Sequence, residues 1–259
     1  MRRVFITGAS SGIGAALAVR YAEQGATLGL LGRRADALRD LIASLPNPHL
    51  HRAYPLDVTD HGALRGAAAD FLAHAGGIDV VVASAGVSFG TLTEFPEDLA
   101  GFETIVAVNL TATVATFAPF IDAMKAQRTP ARLVGIGSVA GIRGLPGAEA
   151  YSASKAAVIS YCESLRLELR GHGIKVVTLT PGYIDTPMTR QNAYPMPFLM
   201  PADRFAAKAV AAIAAGARQP VIPWQMGLVA TLLRMLPNAL YDLAFAKAPH
   251  KARRDRSGA

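Results

Sequence analysis

Tyr151 and Lys155 stand four residues apart in Tyr-Ser-Ala-Ser-Lys, thirteen residues after Ser138. Four residues is just over one helical turn, so both side chains project from one face of a helix. An ammonium beside a phenol stabilises the phenolate, so the Tyr151 pKa is expected to fall from about 10 toward working pH. That makes Tyr151 usable as a general acid or base. Ser138 follows an apolar run, and from the end of that strand it can hold a substrate oxygen by a hydrogen bond.

A second constellation opens the chain. Thr7-Gly8-Ala9-Ser10-Ser11-Gly12-Ile13-Gly14 lies between an apolar strand and a helical pattern. Gly8 permits the tight turn, Gly12 lets backbone approach a phosphate, and Gly14 allows close helix–strand packing. The helix start then offers free N–H groups and a partial positive charge to a pyrophosphate. The spacing is G-x-x-x-G-x-G, not G-x-G-x-x-G. The second strand ends in Gly32-Arg33-Arg34, with no carboxylate for a ribose 2′-hydroxyl. Two guanidiniums suit a 2′-phosphate, so NADP(H) is expected over NAD(H).

The elements that must position these groups are legible as alternating strands and helices. Strands are expected at 3–7, 27–31, 53–56, 79–83, 132–137 and 175–180. Helices are expected at 13–24, 35–45, 60–74, 99–127 and 151–170, with Asp60 as an N-cap. Strands that are apolar throughout are buried on both faces. Strand–helix alternation with short links implies right-handed crossovers. The expected fold is α/β: a doubly wound parallel β-sheet (Rossmann fold) of about seven strands with helices on both faces. One domain is read over 1–246. A proline- and methionine-rich stretch at 183–201 is a candidate lid, and 224–246 an apolar C-terminal helix. The basic tail at 247–259 is expected to be disordered.

Composition narrows the chemistry. Half of the 259 residues are apolar, enough for a sizeable core. A single cysteine, Cys162, leaves no internal disulfide and no thiolate metal site. The six histidines show no metal-ligand spacing and are read as surface or capping residues. Much of the net charge of +7 sits in the tail, where Lys247, Lys251, Arg253, Arg254 and Arg256 face only Asp255. No interleaved aromatics point to nucleic acid. No signal peptide is read, and no apolar run approaches the ~20 residues that span a bilayer. A cytoplasmic protein is expected, with peripheral attachment at the inner membrane surface as an option.

The residues in order resemble the short-chain dehydrogenase/reductase family over about 3–222. The resemblance rests on Thr7–Gly14, Asp57-Val58, Asn109, Ser138, Tyr151-x-x-x-Lys155, and Pro181-Gly182 with Thr186. It implies that Tyr151 exchanges the proton with the substrate oxygen and Ser138 polarises the carbonyl. Lys155 would bind the nicotinamide ribose and acidify Tyr151, and Asn109 would hold a water linking Lys155 to solvent. Asn109, Ser138, Tyr151 and Lys155 are thus the expected catalytic set. The expected cofactor contacts are Gly8, Ser10, Ser11, Gly12, Ile13, Gly14, Arg33, Arg34, Asp57, Val58, Ala85, Gly86, Asn109, Tyr151, Lys155, Pro181, Gly182, Ile184 and Thr186. Thr186 would anchor the carboxamide; Asp57 and Val58 would meet adenine. One departure is Ala83-Ser84-Ala85-Gly86, where the family usually has Asn-Asn-Ala-Gly; it puts in doubt a side-chain tie between neighbouring strands.

The implied reaction is hydride transfer between NADP(H) and a carbonyl or secondary alcohol. A non-catalytic NADP-binding redox sensor is the alternative, against which the full catalytic set argues. The expected substrate walls, Val87–Leu92, Ile142–Gly147 and 183–200, are mostly apolar, favouring a hydrophobic or lipid-like substrate. Arg143 and Arg190 are candidates for an anionic group. Self-association as a dimer or tetramer is implied through the helices at 99–127 and 151–170. The segment 224–246 is read as a core or subunit-contact helix, or as a membrane-surface helix with the basic tail as a second signal.

Overall fold

Val, Ile, Leu and Phe runs with almost no polar residue make strands that must be covered on both faces. In the computed structural model they build β1 (Arg3–Thr7), β2 (Thr27–Gly32), β3 (Arg52–Pro55), β4 (Val80–Ala83), β5 (Ala131–Ile136) and β6 (Ile174–Pro181). The structure describes all residues except 1, 128, 247, 249 and 254–259. Helices alternate with these strands: α1 (Gly12–Glu23), α2 (Ala35–Ser44), α3 (His61–Ala75), α4 (Leu99–Val106), α5 (Ala112–Gln127) and α6 (Glu149–Glu168). Then come the short pair β7 (Ile184–Asp185) and β8 (Met200–Pro201), α7 (Ala202–Ala215), β9 (Val221–Ile222), α8 (Trp224–Met235) and α9 (Asn238–Phe245).

The main sheet has seven strands, all parallel, in the order β3-β2-β1-β4-β5-β6-β9. Chain direction along the sheet reverses between β1 and β4, which opens a crevice beyond their C-terminal ends. One face packs Leu17, Tyr21, Leu38, Phe205 and Ile213 from α1, α2 and α7. The other packs Phe71, Phe117, Phe120 and Cys162 from α3, α5 and α6. Each such buried side chain contributes roughly 1.5–3 kcal/mol. Asp60 caps α3 by accepting the Ala63 N–H at 2.9 Å, as expected for that residue before a helical pattern.

Several expectations are corrected. The helix read as continuous over 99–127 is divided by a π turn at Ala107–Thr111. The wider helical run Pro96–Gln127 has the length and composition of a membrane span, which the reading of apolar runs missed. Its inner face, with Phe117, Phe120 and Met124, is buried in the sheet's second layer. The segment 224–246 is two helices, because Pro237 cannot continue the ladder of α8. His51 is buried, its ring bonded to Leu28 N and Pro46 O. α7 and the edge strand β9 had no place in the sequence reading: α7 is alanine-rich with a weak pattern, and β9 has only two residues.

Candidate active site

The Gly-rich turn after β1 folds back on the loop after β4. Gly8 has φ +67°, and a Cβ there would stand 2.7 Å from the Ala85 backbone. A Cβ on Gly14 would run into the Gly8 carbonyl, so the start of α1 can press on the turn only through glycine. Thr7 Oγ1 accepts from Ser84 N (3.2 Å) and Ala85 N (3.3 Å). A tie between β1 and β4 therefore exists without the missing asparagines. Ser11 makes no side-chain cap on α1, so the first-turn N–H groups of Gly12, Ile13 and Gly14 open on the crevice.

That crevice, about 510 Å³, is the candidate site. Every expected site residue except Asn109 lines it: the Gly8–Gly14 turn, Arg33 and Arg34, Asp57 and Val58, Ala85 and Gly86, Ser138, Tyr151, Lys155, and Pro181, Gly182, Ile184 and Thr186. Arg34 is tied to the phosphate turn through the Ser10 carbonyl (2.9 Å). The largely exposed Arg33 side chain lies 3.8 Å from Asp57. Asp57 accepts from Thr59 N (2.9 Å) and Thr59 Oγ1 (2.7 Å), which holds its carboxyl below the usual range.

Asn109 is fully buried behind the wall. Its Oδ1 accepts from Val87 N (2.9 Å), and its Nδ2 donates to Val87 O (3.1 Å) and Ser154 Oγ (3.0 Å). Ser154 Oγ in turn donates to the Tyr151 carbonyl (2.8 Å). The π turn points this amide between the loop after β4 and the first turns of α6. The side chain is spent on those ties, so Asn109 stands behind the wall of the crevice rather than in it.

Tyr151 and Lys155 do share one face of α6. Ser138 ends the β5 connection, its Oγ accepting from Ala140 N (3.1 Å) and hydrogen-bonding the Tyr151 hydroxyl. Lys155 Nζ lies 5.8 Å from the centre of the Tyr151 ring but donates to the Ile136 carbonyl (2.9 Å). The expected acidification of the phenol is absent: burial raises the Tyr151 pKa, and the Ser138 bond only partly opposes it. Burial also lowers the Lys155 pKa to about 8. Both follow from one cause, since a site poor in water disfavours each charged form.

The other candidates separate. Arg190 pairs with Asp185 (2.7 Å), and Arg143 stacks 4.2 Å over the Tyr241 ring while bonding Asn238 Oδ1 (3.0 Å), so neither is an open anion site. The stretch 183–201 is divided between two surfaces. Pro187, Met188 and Thr189 join the crevice, whereas Phe198, Leu199 and Met200 line a separate groove with Arg204, Lys208 and Trp224. Pro187, Met188 and Thr189 belong to the expected wall at 183–200 but not to the expected cofactor contacts; the Thr189 hydroxyl stands 3.2 Å from Thr186 Oγ1. The tail also differs from expectation. Residues 250–253 pack against Gly90 and Gly147, with Ala252 O accepting from Gly90 N (2.8 Å), while 247, 249 and 254–259 lie outside the described residues.

A crevice at the reversal point with an open helix start, basic groups at one end and Ser138, Tyr151 and Lys155 at the other fits a dinucleotide lying across it. Likeness to known proteins agrees. The short chain dehydrogenase family model matches residues 2–195. An uncharacterized oxidoreductase of Myxococcus xanthus is 36% identical over 244 residues, covering 94% of this chain and 96% of its own. A 2-dehydro-3-deoxy-L-rhamnonate dehydrogenase (NAD(+)) of Sphingomonas sp. is 35% identical over 192 residues, 73% of this chain and 75% of that protein. The crystal structure of a short-chain dehydrogenase from Streptomyces avermitilis superposes with a TM-score of 0.79 at 27% identity, covering 89% of this chain and 91% of that one. The chain belongs to the short-chain dehydrogenase/reductase family of oxidoreductases.

Proposed function

We propose that the protein is an NADP(H)-dependent oxidoreductase acting on a carbonyl or secondary alcohol of a hydrophobic or lipid-like compound. The observation that carries this reading is the convergence of Ser138, Tyr151 and Lys155 on one end of the crevice whose other end holds the phosphate turn and Arg33. When bound, the nicotinamide supplies or accepts the hydride. The chain's part is to orient the substrate and move a proton. Ser138 holds the substrate oxygen, and Tyr151 gives its phenolic proton to that oxygen in reduction or takes it back in oxidation. Lys155, 5.8 Å from the centre of the Tyr151 ring, is the cation on hand for the charge that the phenolate gains in the reaction.

The preference for NADP(H) rests on Arg33 and Arg34 and on the lack of a carboxylate at the end of β2. The Sphingomonas relative is named for NAD(+), so the choice is proposed for this chain from its own residues. Tyr151→Phe is the central test. NADPH-linked reduction of hydrophobic ketones should fall about 10²–10⁴-fold, the usual share of a general acid. Near-normal turnover would overturn the assignment.

Self-association is proposed through α4, α5 and α6, whose outer faces expose Leu99, Val114 and Leu167. A second surface runs along α8 and α9, where Trp224, Leu228, Leu232, Met235, Leu240 and Leu243 are exposed. We propose that this stripe rests on a membrane surface. Sedimentation with anionic and neutral liposomes tests it, and a stripe covered by a second copy would give an assembled protein that ignores both.

A further inference from the structure

The short segment after α9 returns to the active site and is built into it. Ala252 O accepts from Gly90 N (2.8 Å), and Gly90 pairs with Arg253 as a parallel bridge. A Cβ on Gly90 would strike the Lys251 carbonyl, and one on Gly147 would stand 2.7 Å from His250 Cβ. The segment is thus threaded between the loop after β4 and the loop before α6. Its far end is anchored: Arg253 forks onto Asp98 (2.8 and 2.9 Å), reaches Glu97 (3.2 Å) and stacks 3.9 Å over Phe95.

Held this way, Lys251 reaches inward. Its Nζ donates to Ser88 Oγ (2.6 Å) and lies 5.7 Å from the centre of the Tyr151 ring, about as near as Lys155 at 5.8 Å. Ser88 itself lines the cavity that adjoins the crevice. Among the described residues no carboxylate pairs with Lys251, whereas the arginines nearby are engaged: Arg143 by Tyr241 and Asn238, Arg190 by Asp185, Arg253 by Asp98. Partial burial holds the ammonium out of water and lowers its pKa, and among the described residues Ser88 is its hydrogen-bond partner. A half-buried cation of this kind gains most from a ligand anion, through a charge-assisted bond.

We propose that Lys251 is a specificity-determining residue that takes a carboxylate carried by the carbonyl substrate, close to the carbonyl group. This rests on the hydride-transfer reading and deepens it. The substrate is then an apolar oxo acid, its carbonyl at Ser138 and Tyr151 and its carboxylate at Lys251 and Ser88.

Matched pairs test it: 2-, 3- and 4-oxo carboxylates against their own methyl esters, with NADPH. Wild type should favour one oxo acid over its ester in kcat/KM. Lys251→Met should lower that acid-to-ester ratio by about tenfold or more, the scale of one hydrogen bond to a charged group. Lys251→Glu should invert the ratio, Lys251→Arg should keep most of it, and Arg253→Ala, which frees the segment's end, should lower it. The proposal falls if the ratio is unchanged in Lys251→Met. It also falls if acid and ester lose rate together with a displaced pH profile, for Lys251 would then act on Tyr151 rather than on the substrate. Calorimetric binding of the corresponding saturated carboxylate to the NADP+ complex gives an answer without turnover. Binding lost in Lys251→Met upholds the site even if no carbonyl is reduced, and absence of binding to wild type removes it. Failure of the reaction itself would show instead as inactivity of wild type toward acids and esters alike.

Discussion

Arg33, at the end of β2, reaches its nearest carboxylate, Asp57, only at 3.8 Å and stays largely exposed. A guanidinium so placed is open to a phosphate, which takes it with a fork of hydrogen bonds. Arg33→Ala should raise KM for NADPH about 10–100-fold, the range of charge-assisted bonds, with little change for NADH. Steady-state kinetics with both cofactors decides it, and equal effects on the two would remove the 2′-phosphate role. Lys155 gives a prediction in pH. Its folded-state pKa of about 8 lies below the ordinary lysine value of 10.5. Below pH 8 it is charged in both states, and the folded state carries the full cost of burying that charge. Between about pH 8 and 10 the unfolded chain holds the extra proton, so stability of the cofactor-free protein should rise with pH, by 2–3 kcal/mol at most. Urea denaturation at stepped pH should show the rise, and Lys155→Met should flatten it.

The π turn between α4 and α5 has a structural purpose at the scale of elements. It turns Asn109 into a buried clamp that holds Val87 and Ser154 together, and so joins the loop after β4 to the start of α6. Asn109→Ala leaves Val87 N–H without that partner and should cost about 1–3 kcal/mol, read by denaturation midpoint. Because the clamp holds Val87, which lines the crevice, KM should rise more than kcat falls. A loss confined to kcat would favour a proton-transfer role instead. α3 offers a control far from the chemistry. Asp60→Ala removes the bond to Ala63 N and should cost about 1 kcal/mol with unchanged kinetics.

At the scale of the molecule, the cofactor should act as a staple between the two halves of the sheet. The phosphate turn follows β1, whereas Tyr151 and Lys155 sit on the helix after β5. A ligand that binds only the folded state adds about 2.7 kcal/mol at a hundred times its Kd. Thermal unfolding should therefore shift upward with NADP+ well beyond the shift with NAD+ at equal concentration. Equal shifts would argue against the proposed preference.

Local rules carried much of this protein in its sequence. Apolar runs with no alternation specify buried parallel strands, the turn of glycines before α1 specifies an open helix start, and a spacing of four places Tyr151 and Lys155 on one face. Those features depend on neighbours along the chain, so a sequence displays them directly. Only the tertiary structure decided the rest. The protonation balance of Tyr151 depends on how much water every packed element excludes. The clamp at Asn109 depends on a change of helical pitch with no clear periodic mark. The placing of Lys251 at the phenol depends on contacts between residues more than a hundred positions apart, where His250 and Arg253 find Gly147, Asp98 and Glu97. Such contacts leave no repeating pattern in the chain, because they are set by where the sheet brings its loops together.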